Sequence, residues 1–260
     1  MRTVLLGLLL MLGLLIPAQV HADDEFVAHR LGETEITIWV FTNGPGLAMF
    51  APHDDENISA AVAMLHVAEH GGTLVQFVQN GKRNITFSLG GRDYAFDPNR
   101  MFTDVGIEAS LKAQGKSFSA EAFEAVKALS KTVLGYLGSN LKKGQPLVAL
   151  HNNTNGNYSL ESYLKGGNYA GDALKVYQNS QMDPDDFCFV TDERIFGVLQ
   201  ASGVSVVLQN NAQVTNDGSL SVYAARAQVP YINIEAQEDG AMGHEQVQAS
   251  IVKILQKAFP

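Results

Sequence analysis

Beyond residue 22, short apolar runs of β character alternate with longer segments of helical period. A chain built that way gathers its strands into a sheet and covers both faces with helices. The expected fold class is therefore α/β, a three-layer sandwich with a central mixed, mostly parallel sheet. The runs 35–41 and 47–51 read as a hairpin across the Asn43-Gly44-Pro45-Gly46 turn. A helix follows over 58–69, with Ile58, Ala61, Val62, Leu65 and Ala68 on one face. Strands are expected at 73–78 and 84–89 across an Asn80-Gly81 turn, and at 146–150, 204–208 and 231–234. Helices are expected at 119–141 with Ser119 as N-cap, and at 193–201, 219–227 and 246–258. The polar stretch 152–171 reads as a long loop, and long loops in compact domains usually carry function.

Residues 1–22 stand apart. Arg2 precedes an apolar run from Val4 to Ile16, Pro17 breaks it, and Val20-His21-Ala22 offers a cleavage site. This is the pattern of a secretory signal peptide, so the expectation is an exported, soluble chain, periplasmic or extracellular, with residues 23–260 forming one domain. The apolar run is too short to span a bilayer, which takes roughly 20 residues, so no membrane span is expected once it is removed. Cys188 is the single cysteine, which excludes an internal disulfide framework. It lies between Phe187 and Phe189 and reads as a buried structural thiol. Acidic residues outnumber basic ones 27 to 18, which argues against a nucleic-acid partner.

Four polar groups stand at or just beyond apolar strands: His53 and Glu56 after 47–51, His151 after 146–150, and Glu235 after 231–234. In parallel strands the carboxyl ends share one edge of the sheet, where chemistry gathers. Two His and one Glu leave a fourth position open, as catalytic zinc requires. A further Glu beside such a metal can move a water's proton to a leaving amine. Two other motifs compete. His66-Val67-Ala68-Glu69-His70 spells H-x-x-E-H but lacks a recognisable third ligand, and reads as a solvated helix edge. Ala51-Pro52-His53-Asp54-Asp55-Glu56 looks like the signature of LmbE-like sugar deacetylases, but its spacing is off by one and no downstream His-x-x-His exists.

The ordered set His53-x-x-Glu56, Asp97-Pro98-Asn99-Arg100-Met101-Phe102, His151 and Glu235 resembles the zinc carboxypeptidase superfamily, which includes succinylglutamate desuccinylase and aspartoacylase relatives. The resemblance runs from about residue 36 to 255. It implies one Zn2+ held by His53, Glu56 and His151, Glu235 as general base and acid, and Asn99 and Arg100 binding a substrate carboxylate. Arg83 is the candidate for polarising the scissile carbonyl. Tyr223 is the candidate substrate-binding tyrosine, with Tyr158, Tyr163 and Tyr169 as competitors. Pro98 and Met101 depart from the family pattern, which usually has Leu before the Asn-Arg pair and often Asn after it. The implied function is metal-assisted hydrolysis of an amide next to a free carboxylate, in a peptide or cell-wall peptide. The alternatives are an N-acyl amino acid deacylase and a non-catalytic exported peptide-binding protein.

Overall fold

Wholly apolar runs such as Leu-Ala-Met-Phe-Ala (47–51) can be stable only where both faces of a strand are covered, and that is where the fold places them. The computed structural model describes residues 23–115, 117–238 and 242–260. The signal-peptide expectation for residues 1–22 lies outside the described residues. The first half of the chain runs β1 (Asp23–Leu31), β2 (Thr34–Thr42), β3 (Leu47–Ala51), α1 (Asn57–His70), β4 (Gly72–Val78), β5 (Ile85–Leu89), β6 (Arg92–Phe96), α2 (Asp104–Gln114) and α3 (Ala120–Ser139). The second half runs β7 (Leu147–Asn153), β8 (Ala173–Tyr177), β9 (Phe187–Val190), α4 (Glu193–Ala201), β10 (Val206–Gln209), α5 (Leu220–Arg226), β11 (Tyr231–Gln237) and α6 (Met242–Ala258).

Among the described residues nine strands form one mixed sheet in the order β1-β2-β4-β3-β7-β11-β9-β10-β8, while β5 and β6 form a separate pair. The central four, β4, β3, β7 and β11, are parallel. Strands β1 and β2 on one flank, and β9 against β11 on the other, pair antiparallel. The α/β sandwich is as expected from the sequence, with its parallel character concentrated in the middle.

One face of the sheet is covered by α2, α3, α5 and the β5–β6 pair, the other by α1, α4 and α6. Helix α3 shows why. Ser119 accepts from the Ala122 N–H and caps it, and Val126, Leu129, Val133 and Leu137 recur on its buried side. Each such side chain, fully buried, contributes about 1.5–3 kcal/mol of transfer free energy. Asp192 caps α4 in the same way.

The hairpin expected over residues 35–51 is not formed. Strand β4 lies between β2 and β3, and β2 pairs instead with β1 and β4. Gly71 and Gly72, at φ of 83° and 118°, let the chain leave α1 and enter beside β3. A Cβ on Gly72 would stand 2.5 Å from the Leu47 carbonyl oxygen, so only glycine allows that entry. Strand β7 extends to Asn153, and the long polar stretch contains two short 3-10 turns, Leu160–Tyr163 and Ala170–Asp172. No helix among the described residues is long and apolar enough to cross a membrane.

Candidate metal centre

Strand β3 stops where Pro52 cannot donate to a ladder, and the chain turns into α1 through His53 and Glu56. Glu56 occupies the N-cap position of α1 without capping it. Asn152 does that work from β7, its Oδ1 accepting from the Ser59 N–H at 2.9 Å. The Glu56 carboxylate is thereby left to face its neighbours. Its Oε1 lies 2.7 Å from His53 Nδ1, and its Oε2 lies 3.0 Å from His151 Nδ1. The Asn152 N–H also donates to Oε2, at 3.2 Å.

Period-two alternation aims the other groups. On β7, Leu147 and Ala149 pack toward α3, so His151 projects from the same face; on β11, Tyr231, Asn233 and Glu235 share a face. The parallel register sets Glu235 directly opposite His151. The parallel edge anticipated from sequence therefore gathers His53, Glu56, His151 and Glu235 around one end of the sheet.

All four are buried, with exposures of 0, 5, 3 and 6% respectively. His53 sits between two carboxylates, its Nε2 being 2.9 Å from Asp97 Oδ1. Burial alone would lower its pKa, but Glu56 and Asp97 outweigh that effect and raise it to about 9. The carboxyls of Glu56 and Asp97 are held well below the usual range: burial opposes this, and the histidines facing them prevail. Glu235 goes the other way, pushed up by burial and by the Glu56 charge against the pull of His151 and of the Asn233 amide. Asn233 Nδ2 donates to Glu235 Oε1 at 2.8 Å.

One potential ligand atom from each of His53, Glu56 and His151 lies within 4.8 Å of the other two, and these form the only such group of His, Cys, Asp or Glu among the described residues. Two imidazole nitrogens and a carboxylate are a donor set that suits zinc with a position left open. His151 Nε2 is buried with no protein partner. Asp97 accepting from the far nitrogen of His53 is the kind of outer support that orients a ligating imidazole. The residues fit a divalent ion.

The cluster lies beside a cavity of about 1030 Å³. Arg83 reaches it with Nη1 2.5 Å from Glu56 Oε1 and Nη2 3.7 Å from Asp97 Oδ2. Asn99 and Arg100 line it from the turn Pro98–Arg100, which Asp97 caps by accepting from the Asn99 N–H. Asn99 Oδ1 is buried and has no partner. Arg100 lies 3.6 Å from Asp217 and not against Asp97. Gly106 and Gly218 bring the Asp217 loop in: a Cβ on Gly106 would stand 2.1 Å from the Gly218 Cα.

Tyr223 is not brought to the cavity. It sits on α5 with its ring 6.4 Å from that of Phe102, because the helix turns this side chain toward the core. The tyrosines that line the cavity are Tyr158, Tyr163, Tyr169 and Tyr231. Tyr158 and Tyr163 hydrogen-bond through their hydroxyls. Burial holds both phenols well above their ordinary pKa, so they remain protonated donors.

The H-x-x-E-H motif assembles no centre. Glu69 and His70 are exposed, while His66 is buried against Gln256 of α6, which corrects the expected solvated edge for that residue. Asp54 caps the 79–81 turn by accepting from the Gln79 and Gly81 N–H groups. Cys188 is fully buried, its thiol pushed up by burial. Asp97, Asn152 and Asn233 were not assigned roles from sequence. Asn233 carried a signal, two residues before Glu235 and so on the same strand face, and Asp97 stands in the Asp97–Phe102 motif.

No protein-family model matches the chain, and a search of curated proteins returned no match. Solved structures do show likeness. The chain is similar to succinylglutamate desuccinylase from Chromobacterium violaceum at 12% identity and a TM-score of 0.48, covering 92% of this chain and 75% of that one. It is similar to an aspartoacylase family protein from Mesorhizobium loti at 13% identity and a TM-score of 0.48, covering 91% and 67%. Bovine thrombin-activatable fibrinolysis inhibitor gives 10% identity and a TM-score of 0.43, with 91% of each chain covered. Identities this low leave the chemistry to the site itself.

Proposed function

We propose that this chain is an exported, metal-dependent hydrolase that cleaves an amide bond next to a free carboxylate. The observation that carries the reading is the convergence of His53, Glu56 and His151 beside Glu235 at the carboxyl ends of parallel strands. His53, Glu56 and His151 would hold the ion, zinc by donor type. Bound there, a divalent ion supplies Lewis acidity, polarising a carbonyl and acidifying a water.

The chain's own residues do the rest. Glu235 takes the proton of the attacking water and delivers it to the departing amine nitrogen. Burial raises its pKa, which makes it a stronger base than an ordinary carboxylate for taking that proton. Asn233 holds the carboxylate in place. Arg83, at the cavity edge beside Glu56, supplies a fixed positive charge near the oxygen on which charge develops. Arg100 and Asn99 offer a planar guanidinium and an amide to a substrate carboxylate.

The open cavity of about 1030 Å³ is roomy enough for a peptide substrate. Export rests on the composition of residues 1–22. The test is a panel assay of the zinc-loaded protein against peptides with free C-termini, the same peptides amidated, and N-acyl amino acids. Hydrolysis of the free peptides, lost on chelation and restored by zinc, is expected. Preference for N-acyl amino acids would favour the deacylase alternative. Peptide binding without turnover, unaffected by chelation, would favour a binding protein and overturn the proposal.

A further inference from the structure

Strand β1 ends the nine-stranded sheet and, among the described residues, pairs on one side only, with β2. It is nine residues long, and its register with β2 runs without a bulge from Asp23 to Leu31. Its sequence, Asp-Asp-Glu-Phe-Val-Ala-His-Arg-Leu, contains no Pro and no Lys. Proteins usually blunt a free edge with shortness, Lys, Pro or a bulge, because unpaired backbone groups template pairing with another chain. The strand at the opposite end, β8, is only five residues long and follows the usual practice. β1 does not.

The charge pattern of β1 names the partner. Acidic side chains fill its start, Asp23, Asp24 and Glu25, and basic ones its end, His29 and Arg30. Val27 is the midpoint. If a second copy of β1 is laid antiparallel about a two-fold axis at Val27, Asp24 stands opposite Arg30 of the second copy, and Glu25 opposite its His29. Phe26 then stands opposite Ala28. Directly opposed residues of an antiparallel pair project from the same face and touch, so the Asp24–Arg30 charge pair forms twice over, while each Glu25 faces an imidazole whose pKa burial lowers. The large residue also meets the small one. Phe26 is 62% exposed, and its ring stacks on Trp39 at 6.0 Å. A copy of β1 laid alongside would cover its open edge. Among the described residues no ion pair involves Asp24, Glu25, His29 or Arg30; Asp24 accepts from Trp39 Nε1, and Arg30 stands opposite Glu35 of β2 in the sheet register.

We infer that the β1 edge is a homodimer interface, formed by antiparallel pairing of two β1 strands about a two-fold axis through Val27. The two sheets become one continuous sheet, and the metal centres, on the central strands β3, β7 and β11, stay open. An isologous contact of this kind closes on itself and makes dimers and not fibres. The inference is independent of the catalytic reading.

The experiment is sedimentation equilibrium of the full chain over about 1–300 μM, where a contact this small is expected to dissociate. A reversible monomer–dimer equilibrium that weakens with salt is expected. Arg30→Asp should weaken it about tenfold or more by placing like charges opposite each other at two symmetric positions. Asp24→Arg should do the same. The double variant Asp24→Arg/Arg30→Asp should restore association to within a few fold, with unchanged circular dichroism in all three. A monomer at every concentration, a dimer indifferent to Arg30→Asp, or a double variant no better than the singles would each overturn the interface. Larger assemblies would overturn the two-fold geometry.

Discussion

Zinc binding at this centre has to displace a proton, and the structure sets how steeply affinity depends on pH. His53 is fully buried between Glu56 and Asp97, with its two ring nitrogens 2.7 and 2.9 Å from carboxylate oxygens. Burial pulls its pKa down, the carboxylates pull it up, and the balance stands at about 9. In the metal-free protein at neutral pH the ring is therefore an imidazolium, and Nδ1 becomes a ligand only by losing its proton. Below about pH 9, apparent zinc affinity should fall about tenfold per pH unit, about 1.4 kcal/mol each. From pH 9 to pH 7 the loss is about 100-fold.

Competition against a chromophoric chelator measures the affinity, and calorimetry in two buffers of different ionisation heat counts the released proton. Asp97→Asn keeps an oxygen to accept from the Asn99 N–H but removes one of the two charges that hold the proton. Its affinity should begin to fall only at lower pH, so the loss between pH 9 and pH 7 should be smaller. Well above pH 9, where competition has ended, it should bind about 10–100-fold more weakly, because the imidazole has lost its charged support. Affinity flat from pH 7 to pH 9 in the wild-type chain, with no proton released, would refute the reasoning.

Glu235→Gln should lower kcat by about 10²–10⁴-fold, the usual worth of a general base. Because burial raises the Glu235 pKa, the unfolded chain ionises first as pH rises, and the native state loses stability above the unfolded value of 4.5. The Gln variant should thus melt no lower than wild type at pH 7, with any gain gone below that value; a lower Tm would mark Glu235 as structural. Arg100→Ala should raise KM about 10–100-fold for substrates with a free carboxylate, the range of a charged hydrogen bond, and leave their amides unaffected. Gly106→Ala drives a Cβ to 2.1 Å from Gly218 and should cost about 1–3 kcal/mol in denaturant unfolding. Gly138→Ala in α3 meets nothing, so it should be neutral or stabilising by up to about 1 kcal/mol.

What could be read from the sequence follows from the range of the forces involved. Helix α3 was bounded closely because its N-cap, Ser119, acts within a turn, and α4 matches its expected bounds of 193–201. The four groups His53, Glu56, His151 and Glu235 were legible because strand ends in a parallel sheet share an edge. Pairing partners were not legible. Nothing local in residues 35–51 says that β4 will enter between β2 and β3, since that depends on Gly71 and Gly72 after a whole helix. Strand β1 was missed because its polar pattern carries little apolar signal. Helix α2 was missed because its glycine, Gly106, reads as a breaker until its close contact with Gly218 is seen. Asp97 was visible as part of a motif, yet its bond to His53 joins residues 44 apart in the chain. Tyr223 was misplaced for the opposite reason: position between His151 and Glu235 does not say which way a helix turns its side chain.

The central claim is that His53, Glu56 and His151 form one metal site that serves hydrolysis. Elemental analysis of the purified full chain after dialysis against zinc, alongside a Glu56→Ala variant, tests it most directly. The account expects one tightly held zinc per wild-type chain, and loss of both the metal and peptide hydrolysis in the variant, with the fold intact by circular dichroism. A wild-type chain that retains no stoichiometric metal, or a Glu56→Ala variant that keeps metal and turnover alike, would contradict it.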